Sequence, residues 1–510
     1  MTLRQAALRL ACALLFCALV SPAYGQSAEK IIDQHVKAVG GKKALKAITS
    51  VRIVGEVRGG DATAGGAQGP AFVWQMKAPS YTYLETGDFT EAFNGRSAWR
   101  EDADGLRTLT GREQLRMRAA AAFRNDRFLN YKKDKARVRL LTREALGGSA
   151  ANVVLLTTRT GLQRKLWFDA ATHLLVQEES EREDGPEQIA YGDYRAVGGV
   201  QEPHRILYRR AGRTLDIRVR TVTHNAALDS AVFDFPRRDA APLPDVGELL
   251  IEVQKNQKLV DGLQDKYTYN LTETNIEVDG KGNVRQKSER NYEVFYVDGN
   301  SYWKLVGKDG KPLSPSDARK EQEKVEKYLR EHEAQKKKEA KEHARDKAKK
   351  KAEDEDDDVN IAAFLRISQL VNPRRERFRG QQVIVFDFEP RPGYKPRNRG
   401  ESLVHKLAGT IWIDETARQV ARLEARITDS FRVGGGLVAS VGRGSAIVLE
   451  QELLHNEVWL PSYAEMNLSA RVLLVAGVKV NRIVRFSNYQ RFSVESKSEI
   501  KPPAPPPPNR

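Results

Sequence analysis

The stretch Leu166–Glu179 reads LWFDAATHLLVQEE, and residues 411–424 read IWIDETARQVARLE. A phrase written twice requires one chain to build the same local structure twice. A second pair precedes it: FNGRSAWR at 93–100 and VDGNSYWK at 297–304. Asn-Gly and Asp-Gly are the residues of tight hairpin turns, so each Trp opens a return strand. The order of the two signatures is the same in both halves. Trp99 lies 68 residues before Trp167, whereas Trp303 lies 109 before Trp412. The difference matches a charged insert at 316–358, and together these features predict an internal duplication.

Each half opens with a helical pattern. Ile31, Ile32, His35, Val36 and Val39 recur at helical spacing and stop at Gly40-Gly41, while Leu249, Leu250, Val253, Leu259 and Val260 do the same in the second half. Alternating strands follow, such as VRIVGEV at 51–57 and QVIVFDFEP at 382–390. Pro236, Pro242 and Pro244 mark a linker, and PPAPPPPNR closes the chain as an extended tail. The expected division is a module at 26–236, a linker at 237–247, a second module at 248–495 and a Pro-rich tail at 496–510. The insert holds 14 Lys or Arg against 15 Asp or Glu and keeps an apolar stripe only at Val325, Tyr328 and Leu329. It reads as a projecting solvated helix or as a disordered segment, and it lacks the heptads of a coiled coil.

The N-terminus is expected to be a signal peptide at 1–25. Arg4 and Arg9 precede the apolar run Leu10–Val20, Pro22 breaks it, and Ala23–Gly25 fits a cleavage site. Both cysteines, Cys12 and Cys17, fall inside it, so the mature chain would have no disulfide and no thiol. No later apolar run is long enough for a transmembrane helix. The expected location is the periplasm, with association to the outer membrane left open. The net charge of +16 suits anionic headgroups or an acidic partner, and export argues against nucleic acid.

Motifs for chemistry are missing. None of the eight histidines has metal-ligand spacing, and His332-Glu333 has Lys336 where a second ligand would stand. GRGSA at 442–446 is not a nucleophile elbow, and the glycine-rich 433–444 lacks the ending of a phosphate loop. Asp169 and Asp414 each precede a turn and are expected to bond turn amides rather than act as acids. His35 reads as a histidine at the edge of the core. No catalytic residue, metal site or cofactor is predicted. Aromatic residues on the strands are the alternative: a curved sheet with Phe72, Trp74, Tyr83, Trp99, Tyr208, Phe386 and Phe388 on its concave face could hold acyl chains. Each buried CH₂ contributes about 0.8 kcal/mol there.

The succession AVGGKKALKAITSVRIVGEV, FNGRSAWR, LWFDAATHLLVQEE and VFDFP resembles the outer-membrane lipoprotein-sorting family, LolA/LolB-like. The first module matches it best. The second, with VDGNSYWK, TIWIDETARQVARLE and EVWLPSYAEMNL, resembles a diverged copy. The resemblance implies an α+β chain of two tandem unclosed antiparallel β half-barrels, each covered by helices. It also implies a non-enzymatic carrier that binds lipid or lipoprotein acyl chains and is at most peripheral to the membrane. The alternative is an envelope sensor or scaffold that binds a protein partner through its basic surface or charged insert.

Overall fold

The computed structural model describes residues 27–58, 71–158, 161–182, 185–237, 242–264, 266–278, 284–297, 300–342, 364, 366–433, 439–442, 445–455, 458–472 and 478–491. The segment read as a signal peptide, the Pro-rich tail and the second part of the insert, 343–358, lie outside them. Two compact units form. One comprises the chain up to Pro79, 84–87 and 122–228, and the other 80–83, 88–121 and 229–510.

The chain begins with α1 (Ala28–Ala38) and α2 (Gly41–Lys46). The strands β1 (Ser50–Arg58), β2 (Ala71–Lys77), β3 (Tyr81–Glu85), β4 (Thr90–Asn94), β5 (Ala98–Asp102) and β6 (Gly105–Leu109) follow. Helix α3 (Gly111–Asp126) leads to β7 (Arg137–Leu146), β8 (Ser149–Thr157), β9 (Gln163–Asp169), β10 (Leu175–Arg182), β11 (Gly185–Val197), β12 (Val200–Arg210) and β13 (Arg213–His224). The second series starts at α4 (Val246–Gln264), β14 (Tyr267–Val278), β15 (Val284–Val297), β16 (Asn300–Lys308) and β17 (Lys311–Pro312). Next come α5 (Pro315–Glu342), β18 (Ser368–Phe378), β19 (Gln381–Pro390), α6 (Arg399–Val404), β20 (Leu407–Asp414) and β21 (Val420–Ile427). It ends with β22 (Phe431–Val433), β23 (Ala439–Val441), β24 (Ala446–Leu454), β25 (Val458–Val472) and β26 (Val478–Arg491).

The strands form two large antiparallel sheets, unclosed as expected. Their orders are β6-β5-β4-β3-β2-β1-β13-β12-β11-β10-β9-β8-β7 and β17-β16-β15-β14-β26-β25-β24-β21-β20-β19-β18. The two orders follow one plan. A meander runs outward from the first strand, a helical connection crosses to the far edge, and a second meander returns until the last strand pairs with the first. In the first sheet α3 makes the crossing; in the second α5 stands at the same place. The described part of the charged insert, α5, therefore belongs to the connection between β17 and β18. Ser314 caps α5 by accepting from the Asp317 amide at 3.2 Å, and Pro315 fills the first position, where its missing N–H costs nothing. Val325 is buried and Tyr328 stacks on Tyr302 with centroids 4.6 Å apart, which ties the start of this helix to β16. Exposed pairs such as Lys327–Glu331, 3.7 Å, follow along the helix to residue 334.

The described turns of the signatures fold as their chemistry dictates, while Asp298 and Gly299 lie outside the described residues. Asn94 accepts from the amides of Arg96 and Ser97 at 3.0 and 2.9 Å, and Gly95 takes φ 85°. Asp169 accepts from the amides of Ala171 and Thr172 at 3.0 and 2.7 Å; Asp414 accepts from Thr416 and Ala417 at 2.8 and 2.6 Å. Both aspartates are turn residues, which is why the phrase recurs. The Trp residues diverge: Trp99, Trp167 and Trp412 are buried, while Trp303 is 41% exposed.

In the first unit, the side chain of Ser27 caps α1 and Ile31, Ile32, His35 and Val36 turn inward. Gly40 ends the helix at φ 132°, where a Cβ would stand 2.7 Å from the Gly199 carbonyl, so both space and backbone require glycine. The inward residues join Val154, Leu166 and Phe168 of β8 and β9 in one core. A second core lies along β1, β2, β12 and β13 around Ile53, Phe72, Trp74 and Ile217.

In the second unit, α4 buries Leu249 and Val253 against Phe386, Phe388, Ile411 and Ile413. The meander β4–β6 meets β18 and β19 through polar groups. Ser97 donates to Asp387 at 2.9 Å, Arg96 pairs with Glu389 at 2.8 Å, and the Thr108 amide donates to Glu376 at 3.0 Å. At the centre is Arg374, side chain 3% exposed. It donates to Asp387 at 3.3 Å, to Glu376 at 2.9 Å and to the Thr108 hydroxyl at 3.0 Å.

Candidate functional site

Within the first unit a cavity of about 130 Å³ opens between helix and sheet. Ile53 of β1, Trp74 and Met76 of β2, Leu175 of β10 and Ile206 of β12 give it an apolar floor. These positions share a face because side chains alternate along each strand; Ile53 pairs directly with Trp74 across the β1–β2 ladder. His35 and Val39 of α1 form one side. Arg124 at the end of α3, with Arg127 and Phe128 just beyond it, forms another.

The charged groups on and behind the wall are paired. Glu178 of β10 accepts from Arg124 at 3.0 Å, from Arg164 at 2.6 Å and from the Tyr191 hydroxyl at 2.6 Å. Two guanidiniums and a phenol hold its carboxyl down to about 2, against the opposing effect of burial. Glu202 takes Arg127 at 2.7 Å and lies 2.7 Å from His224, and its carboxyl is likewise lowered. The Tyr194 hydroxyl donates to the Leu175 carbonyl at 2.6 Å. Tyr191 and Tyr194 are raised by burial and remain phenols.

His35 is 6% exposed, and its Nδ1 lies 3.0 Å from the carbonyl of His173. Phe128 and Phe168 face its ring at centroid distances of 5.3 and 5.1 Å. Burial lowers its pKa from 6.5 to about 4, so the ring is neutral at pH 7. The unfolded chain takes up this proton near pH 6.5 and the folded chain only near 4. The stability contributed by the neutral ring is therefore complete above 6.5 and drains away as pH falls towards 4. Between pH 7 and pH 5 this is worth about 2 kcal/mol. The contribution of Glu178 has the same sign in a lower window: it is present above 4.5 and lost as pH falls towards 2. His35→Gln, which keeps a donor for the His173 carbonyl and cannot titrate, is expected to remove that 2 kcal/mol from the pH 7 to 5 drop in urea-unfolding stability. An unchanged drop would show that His35 is not the acid-sensitive group.

Of the residues read from the sequence as lining an acyl site, Trp74 stands on the cavity wall. Phe72 packs beside it in the same core at a centroid distance of 6.4 Å, and Tyr208 packs at the edge of that core. Tyr83 and Trp99 belong to the second unit and meet each other at 6.4 Å; the Trp99 indole donates to the Phe233 carbonyl at 3.1 Å. Phe386 and Phe388 lie under α4. Arg124, Arg127, Phe128, Glu178 and Glu202 were not singled out in the sequence. A signal for the first of them exists: GREQLRMRAAAAFRND, 111–126, is dense in strong helix formers. Among the described residues no group of His, Cys, Asp and Glu is arranged to hold a metal.

No family model matches this chain, and no curated protein does. Solved structures do. A LolA superfamily protein from Nitrosomonas europaea aligns at 16% identity over 41% of this chain and 97% of its own, with a TM-score of 0.28. A putative outer membrane lipoprotein-sorting protein domain from Vibrio parahaemolyticus aligns at 12% identity over 40% and 97%, with a TM-score of 0.23. MucB in complex with MucA from Pseudomonas aeruginosa aligns at 8% identity over 91% and 99%, with a TM-score of 0.15.

Proposed function

We propose that this protein is a periplasmic carrier that holds the apolar part of a lipid or lipidated protein in the cavity of its first unit, with no bond made or broken. The cavity carries this reading. Its floor is aliphatic and aromatic, and Arg124, Arg127 and Glu202 stand on the wall beside it, so one site offers both an apolar surface and charge.

Size sets the affinity. A cavity of about 150 Å³ admits benzene, so 130 Å³ takes only the end of one acyl chain. Four or five buried methylenes contribute about 3–4 kcal/mol, a millimolar interaction. A whole chain needs more room. The turn that carries Arg127 and Phe128, beyond α3 and outside the sheet ladders, is where the wall would open.

The test is native mass spectrometry, with lipid extraction, on the mature chain purified without detergent. Bound lipid or acylated peptide is expected, and Trp74→Asp should lose it. Val39→Phe, which fills the cavity with an apolar ring, should lose it too, and it guards against unfolding by the buried carboxylate. A clean mass that stays unchanged after incubation with lipid would sink the carrier reading and leave recognition of a protein partner.

A further inference from the structure

We propose that Arg124 makes this cavity selective for an anionic amphiphile, a single-chain carboxylate, over a neutral one of the same length. The inference rests on the carrier reading and adds the ligand's charge to it.

Arg124 is held on three sides. Its terminal nitrogen donates to Glu178 at 3.0 Å, its guanidinium carbon lies 4.9 Å from the centroid of the Trp74 ring, and the residue lines the cavity. Its Nε–H is buried with no hydrogen-bond partner among the described residues. A buried donor without a partner carries a standing penalty, which a ligand oxygen would remove. A fork with one nitrogen occupied and another open still binds a carboxylate or phosphate oxygen, and a charged acceptor gains about twice what a neutral one does.

The surrounding charges agree. The charged side chains on the wall are Arg124 and Arg127 against Glu202, and His35 adds none at neutral pH. The nearby carboxylates are saturated. Glu178 accepts from Arg124, Arg164 and Tyr191, while Glu202 is held by Arg127 and His224. The wall thus offers a cation with an open donor directly above Trp74. A head group on Arg124 puts its tail along Trp74 towards Ile53 and Met76. An alcohol or ester of the same chain length gains the burial but little of the charge-assisted bond.

Isothermal titration of the full mature chain with decanoate and with 1-decanol decides the matter. Decanoate is expected to bind at least tenfold more tightly. Arg124→Gln should abolish that preference, so that the variant binds decanoate no more tightly than 1-decanol, and Arg124→Lys should restore part of it. Equal binding of the two ligands to the wild-type chain would overturn the inference and leave the carrier reading standing. Binding of neither would remove the carrier reading, and this inference with it. A preference that survives in a folded Arg124→Gln variant would also overturn the assignment to Arg124. If that variant fails to fold by circular dichroism, the wild-type comparison and Arg124→Lys still decide.

Discussion

Arg374→Leu is expected to cost the second unit about 3–5 kcal/mol and to lower its melting temperature by about 10 °C. The change leaves two carboxylates behind. Asp387 is fully buried and Glu376 nearly so. Asp387 would keep Ser97 at 2.9 Å, Asn372 at 3.0 Å and Thr410 at 3.1 Å, but no cation at hydrogen-bond distance remains among these partners. Among the described residues Glu376 would keep the Thr108 hydroxyl and amide. Breaking a buried pair from one side is far worse than never having built it, because a charge is stranded in low dielectric. The triple variant Arg374→Leu, Asp387→Asn, Glu376→Gln should therefore recover much of the loss. Scanning calorimetry reads both. A shift under about 2 °C for the single variant would mean that water reaches the site and that the network is weaker than its burial implies.

Gly409→Ala should be nearly as damaging, at about 4 kcal/mol, a cost that only a few named mechanisms produce. Gly409 lies in β20 opposite Ala425 of β21. A Cβ there would stand 1.7 Å from the Glu424 carbonyl oxygen and 2.8 Å from the Phe388 ring. The obstacle is backbone, so no side-chain rotation relieves it. The two strands must part, and the Phe388 ring must leave the hollow that the glycine provides. Gly192 in β11 is the matched control. Nothing lies within 4 Å of its Cβ position, and alanine there should cost close to zero. Urea midpoints of the two variants give the comparison, and equal midpoints would refute the steric account.

The two predictions draw on features with different visibility in the sequence. Turns were legible because their chemistry is local. Asn94, Asp169 and Asp414 each bond amides two or three residues on, so a phrase of a few letters specifies them. The leading helix was legible from spacing, and its stop from Gly40. What was not legible depends on pairs far apart in the chain. Arg374 meets Thr108 across 266 residues, and polar residues in alternating strands look like solvated faces until a partner covers them. The direction of a strand's faces was hidden for the same reason. Trp99 and Trp303 occupy the same place in the same motif, one buried and the other exposed. The cavity was half legible. Trp74 came from its strand, whereas Arg124 sits on a helix that crosses from one sheet edge to the other and has no apolar stripe to announce it.

The pairing of first with last strand has a consequence for how this chain comes to be folded. Val51 is bonded opposite His224, and Tyr267 opposite Arg491. Synthesis delivers the chain from its N-terminus, so β1 waits for β13, and β14 waits for β26. During that interval the apolar faces of each early meander and one edge of each first strand stay open to other chains. Long-range pairing of this kind slows folding, because loop entropy is lost before any contact compensates. A truncation of the last strand in either sheet leaves the first strand with one bare edge, paired only with its other neighbour.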